Sequence, residues 1–197
     1  MAIKKYSKVK FTLRKELIFI LAAIVVLVVA TILFNLPNKE EKFLSKWQEA
    51  GSTMTENTLY EEVSFDELRE ILDGKADNEF TFVFFATPSN QESVSYFDTF
   101  VSVAQTYDVE KIYIVDSAFA LEGDREEDAD FDAKLKGIEE NFKAADGTTT
   151  IKLDSVPNLW VFDGKVLEKS ANDYSVDDVI NWNLVLTQMF AYGKTGE

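Results

Sequence analysis

The chain contains no cysteine and no histidine. That double absence excludes disulfide exchange, thiol nucleophiles, thiolate or imidazole metal ligation, and imidazole acid–base catalysis. Carboxylate, hydroxyl, lysine and tyrosine chemistry is what remains. Lack of cysteine is compatible with any redox compartment, so location has to be argued from other features. The eight glycines are scattered and form no phosphate-cradling loop. Basic residues are scarce beyond the start of the chain. Lys4, Lys5, Lys8, Lys10, Arg14 and Lys15 stand against Glu16 alone, so residues 1–16 carry +5 while the whole chain carries −15 and the remainder −20. An acidic body of that kind repels phosphate backbones, which argues against nucleic-acid binding, and it keeps the protein soluble.

What is present begins with an apolar run. From Leu17 to Leu36 the sequence LIFILAAIVVLVVATILFNL has no charged residue. At helical rise its length is about 30 Å, the thickness of a bilayer core, whereas a secretory signal has an apolar region of only about 7–15 residues. The expectation is one retained transmembrane helix over 17–36. Residues 1–16 form its basic cytoplasmic flank and the acidic body lies outside the cytoplasm, in a single-pass cell-membrane topology. Residues 37–57 read as a stalk. It starts as a short amphipathic helix with Phe43, Leu44 and Trp47 on one side, Trp47 being placed either at the membrane surface or as a cap on the domain, and continues as the polar link GSTMTEN.

Beyond the stalk, helices and strands alternate. Leu59–Val63 is short and alternating enough for an edge strand. Ser64 with Glu67 forms a capping-box pattern ahead of Phe65, Leu68, Ile71 and Leu72, which share a helix face ended by Asp73-Gly74. Phe80–Ala86 is continuously apolar, as a strand covered on both faces must be. The turn Thr87-Pro88-Ser89-Asn90 then leads into a helix carrying Val94, Phe97, Phe100, Val101, Ala104 and Tyr107. Lys111–Asp116 reads as a second central strand, and Phe131, Leu135, Ile138 and Phe142 keep helical spacing. Asn158–Phe162, Asp163-Gly164 and Lys165–Lys169 read as a hairpin, because Asp-Gly supplies the positive φ of a tight turn. Ser175 with Asp178 reads as the opening of a last helix through about Ala191. The order β-α-β-α-β-α-β-β-α predicts an α/β sandwich, a mixed β-sheet between helices.

Two motifs in register with these elements resemble the thioredoxin family over roughly residues 58–192, leaving 193–197 as a tail. Val83-Phe84-Phe85-Ala86-Thr87-Pro88 is similar to the strand and turn that lead into the family's Cys-x-x-Cys helix. Ser155-Val156-Pro157-Asn158-Leu159-Trp160-Val161-Phe162-Asp163-Gly164-Lys165-Val166 resembles the family's Val-Pro-Thr segment, followed by a strand, a tight turn and a further strand. The resemblance implies a thioredoxin-like fold and a cis Val156-Pro157 bond; the residues by themselves also allow a trans proline at the start of a strand. The departure is decisive for activity. Where the family has Cys-x-x-Cys, this chain has Ser89-Asn90-Gln91-Glu92 or, one residue on, Asn90-Gln91-Glu92-Ser93. A serine hydroxyl does not replace a thiolate, so thiol–disulfide oxidoreductase activity is excluded, no other enzyme activity is implied, and no cofactor is called for. The family's binding face is what survives: the residue before the cis proline pairs with extended peptide, which makes Val156, Pro157 and the turn Ser89, Asn90, Gln91, Glu92 and Ser93 the candidate binding residues. Helix capping by Ser89 or Asn90 accounts for the same residue types.

Two other constellations are weaker. Asp128, Asp130, Asp132 and Glu139 match the carboxylate positions of an EF-hand calcium loop. Its sixth position is Ala133, where the sharp turn needs glycine, and helix-like spacing already starts at Phe131. The stretch reads as a solvated acidic loop, with weak cation association as the alternative. Glu92 with this loop is the one carboxylate pair available to a hydrolase, and nothing in the spacing sets their separation. Trp160 and Trp182 read as core. The functional expectation is a redox-inactive, membrane-tethered binding, adaptor or chaperone-like module for exported or membrane proteins, engaging a protein or extended peptide. The alternative is a structural accessory subunit of a larger membrane complex.

Overall fold

The computed structural model describes residues 18–20, 22–27, 38–118, 153, 155–177 and 179–196. The chain divides into two units, Met1–Lys39 and Glu40–Glu197. In the first, residues 18–20 and 22–27 are helical. Among the described residues no helix is long and apolar enough to cross a membrane, and most of the span expected over 17–36 lies outside them. So do residues 1–16, the acidic loop with Asp128, Asp130 and Asp132, and the helix expected around Glu139.

The second unit holds a five-stranded sheet with spatial order β1-β3-β2-β4-β5. Its strands are β1 (Tyr60–Glu62), β2 (Phe80–Ala86), β3 (Ile112–Asp116), β4 (Asn158–Asp163) and β5 (Val166–Ser170). β3 pairs parallel to β1 and β2, while β4 is antiparallel to β2 and β5. This mixed order, three parallel strands followed by an antiparallel hairpin, is the thioredoxin-like arrangement. The hairpin turns at Gly164, whose φ of 55° is open to glycine at no steric cost.

β2 is buried along nearly its whole length because each face meets a different layer. Phe82, Phe84 and Ala86 join the core that includes Val94, Phe97 and Phe100, whereas Val83 and Phe85 join Leu68, Leu72, Trp160 and Phe162. Successive strand side chains point to opposite faces, so one continuous apolar run feeds both cores. The second core is covered by α2 (Phe65–Asp73), whose capping box is formed as expected: Ser64 accepts from the Glu67 amide and the Glu67 carboxylate accepts from the Ser64 amide at 2.7 Å. The first is covered by α3 (Gln91–Thr106) and by two elements that were read differently from the sequence.

One of these is α1 (Lys39–Glu49), expected as part of a stalk over 37–57. Phe43 and Trp47 are only 3% and 1% exposed, and the Trp47 indole lies flat on Phe97 at 4.1 Å. Helical spacing puts Phe43 and Trp47 one turn apart on one face, and that face docks on the sheet's first core. The polar link that follows is also held, since Asp98 accepts from the Ser52 hydroxyl, the Thr53 amide and the Thr53 hydroxyl. The segment is therefore part of the folded domain rather than a spacer.

The other is the C-terminal segment. Ser175 does not open a helix, and Asp178 lies outside the described residues. Ser175–Val176 (β6) and Val179–Ile180 (β7) form a small antiparallel hairpin, and the cap signal is used five residues earlier, where Ser170 and Asp173 box a 3-10 turn at Ala171–Tyr174. The last helix, α4, begins at Trp182 and runs through an α turn (Trp182–Leu184), a π turn (Val185–Met189) and a second α stretch (Phe190–Thr195). It reaches past Ala191 because Gly193 lies against the Phe82 ring; a Cβ there would meet Phe82 Cζ at 2.2 Å. Residues 193–195 thus belong to the domain, not to a tail.

Two expected outcomes test this packing. Trp47→Ala removes the indole that covers Phe97 and should cost about 3–5 kcal/mol in denaturant unfolding, whereas a stalk residue would change stability by less than about 0.5 kcal/mol. The second concerns alkali. Burial, then the Asp98 carboxylate, pushes the Tyr60 phenol well above its ordinary range, and burial with Glu168 and Asp163 pushes Tyr192 up to about 12. A raised folded-state pKa contributes stability that is intact below the ordinary tyrosine value near 10 and is lost as pH rises through the folded value. Stability followed by circular dichroism should therefore fall between about pH 10 and 12, with a shallower fall in Tyr192→Phe.

Candidate functional site

The turn after β2 is where the residues singled out in the sequence come together. Asn90 is the N-cap of α3: its backbone is extended and its side-chain oxygen accepts from the Ser93 amide at 2.8 Å. Of the two registers open in the sequence, Asn90-Gln91-Glu92-Ser93 is the one whose ends meet. Ser93 is fully buried, and its hydroxyl turns back to accept from the Thr87 amide at 3.3 Å. Thr87, itself buried, shares a hydrogen bond with the exposed Ser89 hydroxyl at 2.9 Å.

The two outward residues are tied to other elements. Gln91 donates from its amide to the Ala50 carbonyl at 3.2 Å, linking the turn to the end of α1. Glu92 accepts the indole N–H of Trp182 at 2.9 Å, linking it to the start of α4. Trp182 is buried as expected, yet its polar edge reaches the turn, and its ring stacks on Tyr96 at 4.1 Å. Burial, then the neighbouring Glu92 carboxylate, raises the Tyr96 phenol above its ordinary range. Each polar side chain from Ser89 to Ser93 is thus used in holding the fold. Among the described residues, the Ser89 and Ser93 hydroxyls are bonded to Thr87 and neither is hydrogen-bonded to a carboxylate or lysine that could act as a base.

Val156-Pro157 is cis, as the resemblance implies. The β2–β4 ladder ends with Phe85 paired to Asn158, the residue next to Pro157, so Val156-Pro157 and the segment after Phe85 lie beyond the same end of the pair. The cis-proline loop and the α3 turn therefore stand at the same end of adjacent strands. Pro157 is buried, while Val156 is half-buried and packs against the core of Leu68, Phe85 and Trp160. Among the described residues no backbone hydrogen bond joins Val156. Behind the loop is a polar cluster that sequence reasoning did not anticipate. The buried Asn158 donates to Asn172 at 3.1 Å and to Ser155 at 3.4 Å, and accepts from Ser170 at 3.4 Å. Ser155 also donates to Asn172 at 3.2 Å. The Ser170–Asp173 capping pattern was the readable signal for the turn that delivers Asn172.

No group of three or more acidic residues among those described is placed to hold a metal ion, and the calcium candidates lie outside them. With no thiol anywhere in the chain, thiol–disulfide exchange has no reacting atom.

No protein-family model and no curated protein matches the sequence. Among solved structures, one described as "A putative oxidoreductase with a thioredoxin fold" aligns with 57% of this chain and 80% of its own length, at 12% identity and a TM-score of 0.37. The thioredoxin-like architecture stands on the strand order, the register and the cis Val156-Pro157 bond described above, not on this likeness.

Because Asn90 supplies the cap on α3, Asn90→Ala should lower stability by about 0.5–2 kcal/mol, whereas Asn90→Asp, which keeps an acceptor, should lose less. Urea melts of both variants beside the parent give the comparison, and equal losses would show that the cap is idle.

Proposed function

We propose that this protein is a redox-inactive, membrane-tethered thioredoxin-like module that faces away from the cytoplasm and binds exported or membrane polypeptides as an adaptor or chaperone-like factor. The observation that carries the reading is the division of labour at the turn. Its side chains are consumed by capping and by ties to α1 and α4, while the Val156 backbone beside it keeps no hydrogen bond among the described residues. A strand-end backbone left in that condition can pair with an extended peptide, and the first-turn amides of α3 add donors without intrahelical acceptors.

The tether is supported from the first unit. Ile18, Phe19 and Ile20 are 53–75% exposed, and Ile24, Val25, Val26 and Leu27 are 52–67% exposed. Consecutive positions on a helix point about 100° apart, so four in a row leave no polar side. A helix apolar all round needs a nonpolar surrounding, and a bilayer supplies it for the uncharged stretch 17–36. The excess of lysine and arginine in residues 1–16 supports a cytoplasmic side for that end.

Photo-crosslinking side chains placed at Ser89 and at Val156 in native membranes test the reading. The expected result is polypeptide adducts at both positions in a fraction that resists carbonate extraction. Absence of adducts at both, or release of the protein by carbonate, overturns it. A single stoichiometric adduct that also survives native electrophoresis as a permanent complex would instead favour an accessory subunit.

A further inference from the structure

The β6–β7 hairpin presents two apolar side chains that stay exposed, Val176 and Val179. Ser175 pairs with Ile180 and Val176 with Val179, and directly paired residues project from the same side of a two-stranded ribbon. Val176 and Val179 are 63% and 69% exposed, well above the other large apolar residues left exposed in the second unit, Val166 at 38% and Leu184 at 36%. Together with Ile180, Asn181, Trp182 and Tyr96 they line a groove of about 380 Å³. Its aromatic wall is rigid, because the Tyr96 and Trp182 rings stack and the Trp182 N–H is fastened to Glu92. Asn181 adds an amide that can both donate and accept, the pairing an approaching main chain needs.

Charge selects the occupant. Among the described residues of 91–106 and 171–183, which carry the groove's lining, are Glu92, Asp98, Asp173 and Asp177 and no lysine or arginine. Asp98 is turned to Ser52 and Thr53, but Glu92 stands at the Tyr96–Trp182 wall and Asp177 lies between the two exposed valines in the chain. Like-charged ligands are repelled from such a site, while a cation gains from the carboxylates and from the half-buried Tyr96 ring.

We propose that this groove is a binding site for an extended polypeptide segment that combines aliphatic side chains with lysine or arginine. The inference rests on the recognition reading above and sets a contact surface at the hairpin in addition to the turn. The aliphatic side chains cover Val176 and Val179, and the cationic ones lie over the Tyr96–Trp182 wall toward Glu92 and Asp177.

The test uses the full chain in neutral detergent micelles with two fluorescein-labelled probe peptides, one alternating lysine and valine, the other alternating glutamate and valine. The lysine–valine probe should bind, shift tryptophan fluorescence and weaken with salt, and the glutamate–valine probe should not bind. Because Val176 and Val179 are exposed, Val176→Ser with Val179→Ser should leave the fold intact by near-ultraviolet circular dichroism yet weaken binding about tenfold or more. Asp177→Lys should weaken it several-fold. Equal binding of the two probes, or parent-like binding by the double-serine variant, overturns the proposal. Photo-crosslinkers at Val179, Ser89 and Val156 separate it from the recognition reading. Probe capture at Ser89 or Val156 but not at Val179 removes the groove and leaves that reading standing, and capture at none removes both. Self-association that the double-serine variant abolishes, without peptide binding, would assign the groove to a second copy of the chain and likewise overturn the proposal.

Discussion

The ring of Phe97 is the point through which the domain is held together. Trp47 covers one face at 4.1 Å and Tyr60 is stacked on it at 4.4 Å, with Phe43 tilted against it at 5.8 Å. These rings come from α1, β1 and α3, so one side chain joins a preceding helix, an edge strand and the helix that carries the turn. Stacked pairs of this kind contribute about 0.5–1.5 kcal/mol beyond the area they bury. The Tyr60 hydroxyl then donates to the Phe97 carbonyl at 2.6 Å, and the next residue, Asp98, gathers Ser52 and Thr53. The position of α3, and with it the start of its first turn, is therefore set from the N-terminal side as well as by the sheet.

Much of the sheet was legible because its signals are local and agree with each other. The unbroken apolar run of β2, the Ser64–Glu67 box and the Asp163-Gly164 turn each demand one structure, and the thioredoxin-like resemblance ordered them. α1 was misread because only two anchors, Phe43 and Trp47, stand in a helix otherwise rich in charge, and their partner lies some fifty residues away along the chain. Nothing near either anchor announces that partner. The end of the domain failed for a different reason. Ser170–Asp173 and Ser175–Asp178 offer the same cap spacing, and the choice between them falls to the packing of Asn172 against Asn158 and of Gly193 against Phe82, both tertiary facts.

The candidate site was legible as a location and not as a mechanism. Residue types at Ser89, Asn90 and Ser93 pointed to a cap, and a cap is what they make. Their ties to Ala50 and Trp182 could not be read, since these partners belong to segments assigned to a stalk and to a plain helix interior. The groove under the hairpin had no sequence signature at all. Tyr96 and Val179 are distant in the chain, and only the placement of the β6–β7 hairpin and the start of α4 beside α3 makes them walls of one surface.

The buried hydroxyl of Ser93 bears on how freely this turn could change. Asn90 and Ser93 stand at the two ends of the segment that takes the place of Cys-x-x-Cys in the resemblance, and each accepts from a backbone amide: the Asn90 side chain from that of Ser93, the Ser93 hydroxyl from that of Thr87. Cysteine at either place would strip an acceptor from an N–H in the turn, and one cysteine without the other forms no disulfide to compensate. A turn wired in this way is held in its present state by its own hydrogen bonds, independently of whatever partner it serves.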